Sequence, residues 1–88
     1  MEKQFEAFLI RKGYKQFTAS GLPSTVYAYL KSIDKICEWE RVSWQNLAAN
    51  ISVYLRQYDV GGIKEELGRK SHNTYISALK QFAEFLAA

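Results

Sequence analysis

The chain has 88 residues and a single cysteine, which excludes an internal disulfide and a cysteine-based zinc site. No apolar run approaches the ~20 residues of a membrane span, and an apolar fraction of 48% is typical of a globular chain. Twelve lysines and arginines against nine aspartates and glutamates give a net charge of +3, and we expect one small domain in the cytoplasm.

Apolar residues recur at spacings of three and four along most of the chain, and no strand-like alternation lasts more than a few residues. This pattern predicts an all-α domain, a compact bundle of four helices formed by residues 1–88. The helices are predicted at about 2–12, 23–40, 43–58 and 71–87.

The two N-terminal helices have recognisable ends. Gly13 follows the first helix, and glycine readily adopts the left-handed conformation that closes a helix. Pro23 opens the second helix, where its missing N–H costs no intrahelical bond, and either Leu22 or Ser24 is the cap residue. Cys37 lies on the apolar face of this helix, where a cysteine usually acts as a small hydrophobe.

The third and fourth helices begin at serines, Ser43 and Ser71, which are good N-cap residues. Trp44, in the first turn of the third helix, is predicted to close one end of the core. For the connection between these helices two interpretations stay open. Residues 63–67 form either one helical turn closed by Gly68 or a simple loop.

Residues suited to catalysis or metal binding are sparse. The single histidine, His72, lies beside Ser71, whose hydroxyl is better explained as a helix cap. The sequence shows no glycine-rich phosphate loop of the kind that follows a strand, since no strand is expected. Two pairs of glutamates, expected in exposed positions, lack the spacing of a calcium loop: Glu38 with Glu40, and Glu65 with Glu66. We therefore expect no enzymatic activity, no metal, no cofactor and no small-molecule substrate.

Charge is unevenly distributed along the sequence. Residues 11–35 carry five cations and one aspartate, residues 36–68 carry three cations and five carboxylates, and residues 69–88 carry three cations and one glutamate. If the first and last of these regions meet in the fold, they form one basic face, which is the electrostatic footprint of a nucleic-acid binder. A solvated surface with uneven charge is the alternative.

Two predicted helix starts combine cations with hydroxyl groups. Unpaired backbone N–H groups and the positive end of the helix dipole suit such a start to a phosphate, and neighbouring side chains could reach base edges. Serine caps beside solvated lysines are the alternative. The predicted DNA-binding residues are Ser24, Thr25, Lys31 and Lys35 in the second helix, and Arg69, Lys70, His72, Asn73, Thr74, Ser77 and Lys80 at the fourth.

Four short stretches follow one another in a distinctive order along the chain. They are Phe5-Glu6-Ala7-Phe8-Leu9 with Gly13, Pro23-Ser24-Thr25-Val26-Tyr27-Ala28-Tyr29-Leu30, Ile51-Ser52-Val53-Tyr54-Leu55, and Asn73-Thr74-Tyr75-Ile76-Ser77-Ala78-Leu79-Lys80-Gln81-Phe82 with Phe85-Leu86. In this order they resemble the N-terminal core-binding domain of tyrosine recombinases (phage integrases), which is often called the SAM-like integrase domain. The resemblance covers essentially the whole chain.

The resemblance implies a four-helix domain that clamps one face of duplex DNA, with its second and fourth helices toward the major groove. The family's catalytic arginines, histidines and nucleophilic tyrosine belong to a separate C-terminal domain, so none of the six tyrosines is expected to be a nucleophile. The chain is then either an integrase domain with a catalytic domain in cis or a stand-alone relative. The implied DNA contacts are Ser24, Thr25, Lys31, Asn73, Thr74, Ser77 and Lys80.

Two other hypotheses stay open. The high aromatic content suits a protein-interaction domain anchored by exposed Trp39, Trp44 or Tyr27, and burial of all three would remove its best anchors. The third hypothesis is a domain without any partner. The DNA-binding hypothesis is the one favoured by the basic helix starts and by the resemblance.

Overall fold

The helical periodicity of the sequence is realised in a computed structural model that describes residues 1–70 and 75–88. The described ranges hold helices and no β-strand, so the predicted all-α class is confirmed, whereas the predicted number of four helices is not. No described helix is long and apolar enough to cross a membrane. The helices are α1 (Glu2–Arg11), α2 (Thr25–Glu40), α3 (Trp44–Ala49), α4 (Ile51–Tyr58), α5 (Glu65–Gly68) and α6 (Tyr75–Ala87).

The chain folds back on itself between α1 and α2. Gly13 has a φ of +97°, the left-handed conformation expected after α1. Residues 15–17 then run beside the start of α2, where Pro23 forms an isolated bridge with Phe17, and the Ser24 N–H donates to the Gln16 carbonyl at 2.9 Å. Because this pairing holds residue 23 in an extended conformation, α2 begins at Thr25, two residues later than predicted, with Ser24 as its N-cap.

The segment predicted as one helix over residues 43–58 is divided into α3 and α4. Ser43 caps α3 as predicted, since its hydroxyl accepts a hydrogen bond from the Asn46 N–H at 3.1 Å. The division falls at Asn50, whose side-chain amide donates to the Asn46 carbonyl at 3.1 Å. In a continuous helix that carbonyl would accept the Asn50 backbone N–H, so a local side-chain bond replaces a helical one.

The connection between α4 and α6 contains one helical turn, α5, which is the first of the two interpretations of this stretch. The connection packs against the end of α4 through two glycines, Gly62 before α5 and Gly68 at its end. A Cβ added at Gly62 would lie 2.1 Å from the Arg56 carbonyl oxygen, and one added at Gly68 would lie 2.0 Å from the Tyr58 carbonyl oxygen. No larger residue fits this approach of two backbones.

Helix α6 lies at the centre of the fold and packs against each of the other five described helices. Its Phe82 meets Phe5 of α1 edge-to-face with ring centres 5.1 Å apart, and Trp44 in the same way at 5.4 Å. Trp44 is buried and is thus part of the core. The buried apolar residues are Phe5, Leu9, Val26, Tyr29, Ile33, Ile36, Cys37, Trp44, Leu47, Tyr58, Ala78, Leu79 and Phe82.

Candidate nucleic-acid interface

Four of the predicted DNA-binding residues lie on α2. Ser24 and Thr25 are half-buried at its start, and the Ser24 hydroxyl makes no capping hydrogen bond. Lys31 and Lys35 are exposed on the outer side of the helix. The Lys31 ammonium lies 5.6 Å from the centre of the Tyr27 ring, within the range of a cation–π contact.

Two predicted DNA-binding residues lie on the described part of α6, and they differ in exposure. Lys80 is exposed, and its ammonium lies 3.7 Å from a carboxylate oxygen of Asp59. Ser77, predicted on the outward face, is half-buried. The reason is that α6 packs against helices on several sides, so its exposed face is narrower than the apolar stripe of the sequence indicates.

The residues just before α6 are described only in part. Arg69 and Lys70 are exposed, and the Arg69 guanidinium lies 2.9 Å from a carboxylate oxygen of Glu65. The predicted helix start at Ser71 and the predicted contacts His72, Asn73 and Thr74 lie outside the described residues. Those assignments stay predictions.

The two basic regions of the sequence meet, because α2 and α6 pack against each other. Half of their eight cations nevertheless pair with a carboxylate of a described residue. Among the predicted DNA contacts, Lys31 and Lys70 form no ion pair with a described residue. Three other cations of that set each form one. These ion pairs are Lys35 with Glu38 at 3.5 Å, Arg69 with Glu65 at 2.9 Å, and Lys80 with Asp59 at 3.7 Å.

A polar network under the connection was not foreseen from the sequence. Glu40, expected in an exposed position, has a side chain only 12% exposed; it accepts a hydrogen bond from the Tyr58 hydroxyl at 2.6 Å and pairs with Lys64. Burial raises the pKa of Glu40, but the hydrogen bonds from Lys64 and Tyr58 outweigh burial and leave that pKa below its usual value. The hydroxyl of Tyr58 in an apolar stripe was the available signal, because a buried tyrosine needs a hydrogen-bond partner.

An open groove lies between exposed sides of α1 and α2 and is lined by both apolar and charged residues. It has a volume of about 280 Å³, and its lining residues are Glu2, Lys3, Glu6, Tyr27, Leu30, Lys31 and Asp34. Tyr27 is 49% exposed there, and Phe17 and Leu22 nearby are also exposed. Trp44 is buried, and Trp39 packs edge-to-face on Tyr75 with ring centres 4.9 Å apart. Of the three predicted aromatic anchors, Trp44 therefore belongs to the interior, Trp39 is half-buried and Tyr27 is exposed.

The described residues offer little for metal or covalent chemistry. They contain no group of three or more histidine, cysteine or acidic residues placed to hold a metal ion. Cys37 is buried on the apolar face of α2, and burial raises the pKa of its thiol to about 11. At neutral pH this cysteine is a thiol rather than a reactive thiolate.

Comparison with known families identifies the chain. The family model described as phage integrase, N-terminal SAM-like domain, matches residues 3–88. The chain belongs to this family. The match covers the non-catalytic N-terminal domain and confirms the resemblance that the sequence indicated. Comparison with curated proteins and with solved structures gave no significant match.

In this integrase SAM-like domain, the helices to which the resemblance assigned DNA contacts are α2 and α6. They pack together; α2 presents exposed Lys31 and Lys35 to solvent, and α6 presents exposed Lys80. The chemistry that these side chains offer is the attraction of cations and hydroxyl groups for anionic oxygen atoms, which suits a phosphate backbone.

Proposed function

We propose that this integrase N-terminal domain is a DNA-binding module with no catalysis of its own, which holds duplex DNA for a recombinase catalytic domain. The observation that carries the proposal is membership of the integrase SAM-like family over residues 3–88. The exposed lysines of α2 and α6, two helices that pack together, support it further.

The residue types suggest a division of roles. Exposed Lys31, Lys35, Lys70 and Lys80 would contact phosphates, which fix the position and orientation of a protein on the duplex. The hydroxyl groups at the start of α2 would accept or donate hydrogen bonds at the same backbone. Sequence reading would fall to the polar residues at the start of the last helix, since asparagine and threonine side chains suit base edges. The predicted residues for that role are His72, Asn73 and Thr74.

The proposal is tested by the affinity for a labelled generic duplex, measured by fluorescence anisotropy at two salt concentrations. We expect Lys70→Ala together with Lys80→Ala to weaken binding by a similar factor for any sequence. The double variant should also flatten the dependence of log affinity on log salt by up to about 0.9 for each phosphate that is no longer neutralised. Lys3→Ala together with Arg56→Ala is the control, because it also removes two positive charges, from exposed residues that are not predicted contacts. Unchanged affinity in the double variant, with the fold intact, would refute the assigned face.

A protein-interaction surface remains the second candidate, because Phe17, Leu22 and Tyr27 are 60%, 64% and 49% exposed. Aromatic residues such as Phe17 and Tyr27 are typical anchors of protein interfaces. The same titration separates the two candidates. A domain that binds no duplex even at low salt would favour the protein-interaction hypothesis, and Tyr27→Ala would then be the variant to compare for loss of partner binding.

A further inference from the structure

The connection between α4 and α6 places carboxylates against the cations that the proposed function uses. Residues 59–68, which we call the acidic connection, contain Asp59, Glu65 and Glu66 against one cation, Lys64. Lys64 is turned toward the largely buried Glu40, so its charge is already matched. The remaining surface of the acidic connection is therefore negative, and two of its carboxylates pair with Arg69 and Lys80.

Asp59 is held in position by its own loop. One carboxylate oxygen accepts a hydrogen bond from the Val60 N–H at 2.8 Å, while the other faces the Lys80 ammonium at 3.7 Å. The Asp59 carbonyl also accepts the Gly62 N–H at 2.9 Å, and Gly62 is packed tightly against α4. The backbone of its own loop thus orients the Asp59 carboxylate toward Lys80.

Glu65 has the same arrangement. One of its carboxylate oxygens accepts the Gly61 N–H at 3.1 Å, and the other lies 2.9 Å from the Arg69 guanidinium. Two carboxylates of one segment are therefore oriented by backbone N–H groups toward cations at or beside α6. The neighbouring Glu66 is exposed and forms no ion pair with a described residue.

We propose that the acidic connection is an intramolecular competitor of DNA, in which Asp59 and Glu65 occupy Lys80 and Arg69 until phosphate groups of the duplex replace them. This inference rests on the proposed function and adds to it a set of residues that limit affinity. A carboxylate and a phosphate oxygen seek the same donors, so each ion pair must be broken before the cation can bind the DNA backbone. Breaking an ion pair costs free energy, and the affinity for DNA is lower by that amount.

The size of the effect follows from the exposure of these ion pairs. Asp59 and Lys80 have side chains 40% and 56% exposed, and exposed pairs contribute little to stability. Removal of the competing carboxylate should therefore raise affinity for duplex DNA by about 1.5- to 5-fold for each variant. Asp59→Asn and Glu65→Gln keep an oxygen that can still accept the hydrogen bond from the loop N–H, so the loop should retain its shape.

The experiment measures the affinity of the full 88-residue chain for a generic duplex by anisotropy at low salt. The variants are Asp59→Asn, Lys80→Ala and the two combined, with Glu66→Gln as a matched control that changes the net charge equally without releasing a cation. We expect Asp59→Asn to bind about 1.5- to 5-fold more tightly than the wild type and to exceed Glu66→Gln. In the Lys80→Ala background, the increase in affinity from Asp59→Asn should fall to that of the control.

Equal increases in affinity from Asp59→Asn and Glu66→Gln would overturn the inference, because net charge alone would then account for them. An increase that persists undiminished without Lys80 would overturn it as well. Wild-type binding that Lys80→Ala weakens and Asp59→Asn leaves unchanged would refute the competition while leaving the proposed function intact. Absence of duplex binding by every variant would refute the proposed function itself.

Discussion

We expect Gly68→Ala to destabilise the domain, although alanine in a helix is normally more stable than glycine by about 1 kcal/mol. Gly68 is buried in α5 against the end of α4, and an added Cβ would lie 2.0 Å from the Tyr58 carbonyl oxygen. Relief of that contact requires α4 and α5 to separate by about 1 Å, and overpacking of this kind typically costs about 1–3 kcal/mol. The steric effect therefore outweighs helix propensity and reverses its sign.

Urea denaturation followed by circular dichroism at 25 °C gives the free energy of unfolding for this comparison. A decrease of about 2 kcal/mol corresponds to a melting temperature about 8–16 °C lower in a domain of this size. Gly61→Ala is the companion variant, because Gly61 has a φ of +83° and no atom within 4 Å of an added Cβ, so its destabilisation reflects backbone strain alone. If Gly68→Ala is as stable as the wild type, the close approach of α5 to α4 is wrong.

Three further predictions concern groups whose partners are visible in the fold. Because the folded pKa of Glu40 lies below its usual value of 4.5, its contribution to stability is present above that pH and is lost as pH falls through the folded pKa; Glu40→Gln should flatten this acid loss in pH-dependent denaturation. Ser43→Ala removes the cap of α3 and should lower the free energy of unfolding, measured by urea denaturation, by about 1 kcal/mol. Ser43→Asp keeps a capping oxygen and should therefore be nearly as stable as the wild type. Cys37, with a thiol pKa raised to about 11, should react with a thiol reagent at pH 8 only slowly until urea unfolds the chain; fast reaction in the native state would contradict its burial.

The helical class of this domain is readable from its sequence because apolar periodicity and end signals agree. Gly13 and Ser43 act where local chemistry requires them, at a left-handed turn and at a helix cap. The division at Asn50 was not readable, since the apolar stripe runs through it and the deciding interaction is one side-chain hydrogen bond. The sequence alone does not decide between a turn and a loop at α5, because the contacts of Gly62 with the Arg56 carbonyl and of Gly68 with the Tyr58 carbonyl leave no local signal.

For the candidate site, the sequence predicts which side chains are exposed but not which partners they have. Exposure of Lys31, Lys35 and Lys80 follows from their position outside the apolar stripes, and the sequence therefore predicts it. Their partners depend on tertiary contacts: Lys80 faces Asp59 from another element, more than twenty positions earlier in the chain. Counts of formal charge in sequence regions do not reveal such pairing. Because Asp59 and Glu65 lie beside Lys80 and Arg69, the predicted basic face is more nearly neutral in the fold than along the chain.

The central claim, that this integrase N-terminal domain binds duplex DNA through α2 and α6, is tested most directly by amide chemical shifts. The ¹⁵N-labelled chain is titrated with a generic duplex at low and at high salt. We predict shifts gathered on residues 23–35 and 69–80 that fade as salt rises, because phosphate contacts release counterions. No shifts at low salt, or shifts that leave residues 69–80 unperturbed, would contradict the claim.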